Sequence, residues 1–89
     1  MKVYVLTMAF QKVVFSKDFV QSRTNVLGVF LSTDLMLELI SDVMQAQGPD
    51  YKPIEPDDPW CLRAYQRMYN RDEITYIYFD ALEKEVLNE

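Results

Sequence analysis

With 89 residues, 49% of them hydrophobic, the chain is long enough for one thin-cored domain and too apolar to be a disordered tail. Its 14 acidic and 9 basic side chains leave a formal net charge of −5, which works against nucleic-acid binding unless a local basic patch exists. One cysteine, Cys61, and no histidine exclude an intrachain disulfide, the usual zinc ligand sets and the histidine-assisted nucleophiles.

The opening MKVYVLTMAF turns polar at Gln11. That run is too short to span a membrane and lacks a small-residue cleavage site, so a short cytoplasmic protein is the expectation. Val3 to Phe15 is apolar on both alternate faces. Val3, Val5, Thr7 and Ala9 fall on one face, and Tyr4, Leu6, Met8 and Phe10 on the other. This pattern suits a strand covered on both sides, or at least a central one. Ser16 to Arg23 is polar and reads as a connection. Asn25 to Phe30 is a second strand, in which Gly28 points to a bulge or a close backbone approach. The spacing fits an antiparallel hairpin better than a crossover.

A helix follows over residues 33–47. Ser32 or Thr33 is its N-cap and Asp34 lies in its first turn. Leu35, Met36, Leu39, Ile40, Val43 and Met44 recur at helical spacing, and Gly48 and Pro49 stop it. Leu39, Ile40 and Val43 are expected to be buried against the sheet. From Gly48 to Pro59, four prolines and no periodicity read as a loop, with Tyr51 and Ile54 as anchors.

Two readings fit Trp60 to Asn70. Asp58 and Pro59 make a good helix start, with Arg63, Gln66, Arg67 and Asn70 on one helical face. At period two, Trp60, Leu62, Ala64 and Met68 alternate with Cys61, Arg63, Tyr65, Arg67 and Tyr69. The helix is preferred. Ile74 to Phe79 is a strand, and Ala81 to Glu89 a short helical turn or a frayed tail. The expected fold is therefore a single α+β domain over residues 1–89. It has a three-stranded antiparallel sheet, the 33–47 helix packed on one face and a second short helix at 59–70.

Function is sought in the second half. The first 45 residues are electrically balanced, so the whole excess of −5 lies beyond them. That half also holds Trp60 and most of the tyrosines, residues favoured at binding surfaces. Tyr65, Arg67, Tyr69 and Tyr76 are the candidate anchors of a partner-binding surface, with Asp57, Asp58 and Asp72 as its charged rim. Catalytic, metal and cofactor sites are not expected. Asp80 with Glu83 is an unremarkable carboxylate pair, and Cys61 reads as a small buried hydrophobe.

The opening Lys2-Val3-Tyr4-Val5-Leu6-Thr7, the run Gly28-Val29-Phe30 and Ser32 at the helix start resemble small uncharacterised phage and prophage proteins. The resemblance covers about half the chain and implies a strand hairpin, a helix and a late strand. It also implies a phage origin, but no activity. The leading expectation is a non-enzymatic binding protein, which with a phage origin would inhibit or modulate a host protein, such as a defence component, nuclease or polymerase. The alternative is a homo-oligomeric accessory domain, a homodimer for instance, whose aromatics close a self-interface.

Overall fold

The computed structural model describes residues 1–56, 58, 59 and 61–86. In chain order these form β1 (Lys2–Val14), a 3-10 turn (Phe15–Lys17), β2 (Phe19–Phe30), α1 (Thr33–Gln47), β3 (Lys52–Ile54), β4 (Cys61–Met68) and β5 (Glu73–Glu85). The strands make one five-stranded sheet in the order β2-β1-β5-β4-β3, with every neighbouring pair antiparallel. The expected three-stranded sheet with two helices is thus replaced by five strands and α1.

The preferred helix at 59–70 is corrected to strand β4. Asp58 and Pro59 do not start a helix; the Asp58 carbonyl instead accepts a hydrogen bond from Cys61 N at 3.0 Å. The segment pairs with β5 along Arg63–Phe79, Ala64–Tyr78, Tyr65–Ile77, Gln66–Tyr76, Arg67–Thr75 and Met68–Ile74. A helix there would have left the edge of β5 with unmatched backbone groups, and pairing that edge outweighs the local helix signal. Inside the expected loop, Lys52–Ile54 forms the short edge strand β3, where Pro53 is tolerated because an edge strand has one side free of ladder bonds.

The first hairpin is longer than the sequence suggests. Its turn is confined to Phe15–Asp18, and Val14 pairs with Phe19. Asp18 takes the left-handed conformation (φ 46°), which short polar side chains tolerate. At the other end, residues 81–85 continue β5 against β1 as far as the Lys2–Glu85 pair, rather than forming a helical turn. Opposite Leu6 and Thr7 the ladder shifts register across Val26 to Gly28, a bulge where Gly28 was expected to mark one. There the ring of Phe30 lies over Gly28 and would stand 3.2 Å from an added Cβ.

Helix α1 has to carry the chain from edge strand β2 to the opposite edge strand β3. At about 1.5 Å per residue it is roughly 22 Å long, close to the roughly 19 Å width of five strands about 4.8 Å apart. It therefore crosses one face of the sheet. Its start is fixed by Ser32, whose Oγ accepts from Leu35 N at 3.3 Å. Met36, Ile40 and Met44 are buried on Leu6, Ile77 and Phe79, with Tyr51 closing the cluster. Leu39 and Val43, expected to be buried with Ile40, are only half-buried, and Leu35 is 51% exposed. The buried line is the i, i+4 ridge through Ile40, because the helix lies on a nearly flat layer and only a narrow stripe meets it.

Removing the centre of that ridge leaves a cavity the sheet cannot collapse into. Ile40→Ala should cost about 2–5 kcal/mol of stability, while Leu35→Ala should stay within about 0.5 kcal/mol of the parent. Equilibrium urea unfolding of the two variants checks both values.

Candidate protein interface

Alternation along each strand sends every second side chain to the face away from α1, and the register aligns these side chains in rows across the sheet. One row runs Val29, Val5 and Leu82. A second, at the far end, runs Val20, Val13, Ile74 and Met68. Between them lie Ser22, Gln11, Tyr76, Gln66 and Lys52, and beside these Thr24, Ala9, Tyr78, Ala64 and Ile54. Val26, Thr7, Asp80 and Cys61 share this face, with Val3 and Lys84 beyond the first row.

Helix α1 packs on the opposite side, and cover of this face is uneven: Val3, Cys61 and Ala64 are buried, whereas Val20, Val26, Val29, Met68 and Leu82 stay 55–66% exposed, although all are apolar. Tyr76 and Tyr78 lie side by side on the same face, their rings stacked with centroids 5.9 Å apart. The charges here are few and of both signs, Asp80 against Lys52 and Lys84. The acidic excess of the chain lies elsewhere.

The residues expected to form one binding surface are distributed over several places. Tyr76 is on the open face. Tyr65 is on the opposite face, half-buried beside α1 and edge-on to Phe79 at 6.1 Å. Arg67 shares that side, its guanidinium 5.0 Å from the centre of the Tyr51 ring and 5.8 Å from that of Tyr69. Tyr69, 68% exposed, stands in the β4–β5 turn. Arg67 and Tyr69 are therefore brought together, while Tyr65 and Tyr76 are separated by the thickness of the sheet.

Asp72 ties two turns to each other. Its carboxylate accepts from Ser16 N at 2.7 Å and Ser16 Oγ at 2.6 Å, and its carbonyl accepts from Phe15 N at 2.9 Å. Asp58 is exposed in the loop before β4. Asp57, like Trp60, lies outside the described residues. Sequence reasoning missed Val20, Val26, Val29, Met68 and Leu82 as interface residues. Their signal was the double-sided apolar pattern of β1, which asks for cover on both faces.

Two concavities lie on the helix side. A groove of about 620 Å³ between α1 and β4 has Leu37, Ile40, Met44 and Tyr65 in its wall and Arg63 at its edge. A hollow of about 360 Å³ near the hairpin end is bordered by Phe10, Arg67, Thr75 and the Lys12–Glu73 ion pair, whose atoms are 2.7 Å apart. Among the described residues, no group of three or more His, Cys, Asp or Glu side chains is placed to hold a metal ion.

The Cys61 thiol is buried, with Sγ 3.1 Å from the Arg63 carbonyl and 3.4 Å from that of Phe79. Burial, and then the negative charge of Asp80, push its pKa above the ordinary thiol value. The protonated thiol is a poor nucleophile.

Native Cys61 should therefore react with iodoacetamide far more slowly than in urea-unfolded chain. The unfolded thiol ionises first as pH rises, so the stability this group contributes is full below the ordinary thiol pKa. It is lost as pH climbs from there through the folded value. Stability should decline over that alkaline window, and less steeply in Cys61→Ala; urea unfolding at neutral and alkaline pH measures both slopes.

Compared with protein-family models, curated proteins and solved structures, the chain matches none of them.

Proposed function

We propose that the protein is a non-enzymatic protein-binding module and that the sheet face opposite α1 is its contact surface. The observation that carries this reading is the exposure of Val20, Val26, Val29, Met68 and Leu82 on one continuous face. With a rise of about 3.3 Å per residue and strands about 4.8 Å apart, the five strands present a face of roughly 800 Å². Exposed apolar side chains gathered on one face and rimmed by polar residues mark interaction surfaces.

The charge pattern supports a protein rather than a nucleic acid as the partner. A nucleic-acid face needs a basic field, and this one carries two lysines and an aspartate within a chain of net charge −5. The stacked Tyr76 and Tyr78 add large, stiff contact area of the kind that anchors protein interfaces. The reading as a binder rather than an enzyme is supported by the chain's lack of histidine and by a sole cysteine held as the thiol. The resemblance of the opening strand and of Gly28-Val29-Phe30 to phage proteins supports a target in a bacterial host.

A photo-crosslinking residue placed at Val26 or Val29, in bacterial cells making the full chain, tests the reading. Discrete adducts with protein are expected from both positions, and none from the same residue at Leu35 on the outer side of α1. An open face that yields no adducts, or a Leu35 position that yields the same ones, would overturn it.

A further inference from the structure

We infer that the occupant of the open sheet face is a second copy of this chain, packed sheet to sheet about a two-fold axis. The inference rests on the binding-face reading and adds the identity of the partner. Three features of the face support it.

The first is size. A stable complex of ordinary size buries about 800 Å² on each partner, which is roughly what five strands of these lengths present. A second sheet of the same shape covers the face fully, because two sheets stack about 10 Å apart with their strands within about 30° of alignment.

The second is pattern. The face is apolar at both ends, with Val29, Val5 and Leu82 at one and Val20, Val13, Ile74 and Met68 at the other. Val5 and Val13 are about 26 Å apart along β1, at about 3.3 Å per residue. The middle is tyrosine, glutamine and alanine. A two-fold axis through the centre of an isologous contact lays the middle on the middle. With the axis across the strands, each strand lies over its own copy and the Val29, Val5 and Leu82 row meets the Val20, Val13 and Ile74 row. The surface is therefore complementary to itself.

The third is charge. Two copies of a chain with a net charge of −5 repel each other. The acidic groups Asp34, Glu38 and Asp42 are on α1, behind the sheet. Glu73 is engaged with Lys12 on the α1 side, and Lys2 pairs with Glu83 at 3.2 Å. The face itself carries Asp80, Lys52 and Lys84, and an axis across the strands through the middle of β5 sets Asp80 over the Tyr76 end of its copy, so Asp80 does not meet Asp80.

The test is the mass of the purified full chain by sedimentation equilibrium over a range of concentrations. The wild type is expected at twice the 10.5 kDa chain mass in the micromolar range. Val29→Lys and Val20→Lys, one at each apolar end, are each expected to raise the dimer dissociation constant at least tenfold, since each substitution enters the interface twice. Leu35→Lys should leave it unchanged. Circular dichroism and melting confirm that each variant is folded. Val26→Lys, at a side chain 66% exposed on the edge strand, replaces either one that is not.

A wild-type chain that stays monomeric at every concentration overturns the inference. So does a dimer undiminished in all the folded face variants, which would place the contact elsewhere, for example along the free edge of β2. If the purified chain is monomeric while crosslinks from Val26 and Val29 capture a different protein, the binding-face reading stands and the second-copy inference falls. If the chain is monomeric and no crosslinks form, both fall.

Discussion

Strand β1 sits second from one edge of the sheet, pairs along its length with β2 and β5, and is apolar on both of its faces. The rest of the structure depends on how those two faces are kept from water. On one face, Leu6, Met8 and Phe10 meet α1 or the residues packed around it, and Leu6 is fully buried. On the other, Val3 is buried while Val5 and Val13 are only half-buried. Full burial of an apolar side chain of this size is worth about 1.5–3 kcal/mol, a large increment in a domain whose whole stability is on the order of 4–13 kcal/mol. Valines left half in water on this face are what the proposed contact with another chain would cover.

The layout of the strands follows from the same limitation. The molecule measures 54 × 25 × 19 Å along its principal axes, so it is long and two layers thick. Helix α1 crosses the width of the sheet but spans a small part of its length. The hairpin end beyond it is held by other means. Asp72 binds the β1–β2 turn to the β4–β5 turn through Ser16 and Phe15. Arg67 lies against the Tyr51 and Tyr69 rings, with Nε buried and without a hydrogen-bond partner among the described residues. The edges differ as well. β3 is short and carries Lys52 and Pro53, which discourage further strand addition. β2 is long and is interrupted by its bulge.

The main helix was legible because its signals agree: a serine cap, a 3.6-residue apolar stripe and a glycine–proline stop. The hairpin core and the last strand were legible from their alternation and β-branched content. The second half was not. Asp58-Pro59 is a helix-start signal that reads the same whether or not β5 offers an edge nearby, and that edge is a tertiary fact. Lys52–Ile54 is a strand only because β4 lies beside it, and a central proline argues against it locally. Tyrosines and arginines were taken as site markers by residue type. In the fold Tyr65 packs on Phe79, and Arg67 between rings, while the plain valines of β2 carry much of the exposed apolar area of the face opposite α1. The clue to those valines was present as the two-sided β1, but which side α1 would take depends on the crossover from β2 to β3.

The central claim is that the face bearing Val5, Val26, Val29 and Leu82 is covered when the protein is in its working state. Methyl NMR with a soluble paramagnetic agent measures this directly, residue by residue, at a protein concentration in the micromolar range or above. The account predicts that the methyl groups of these four residues are shielded from the agent while those of Leu35, on the outer side of α1, are strongly relaxed. Methyl groups of Val26, Val29 and Leu82 relaxed as strongly as those of Leu35 would contradict it.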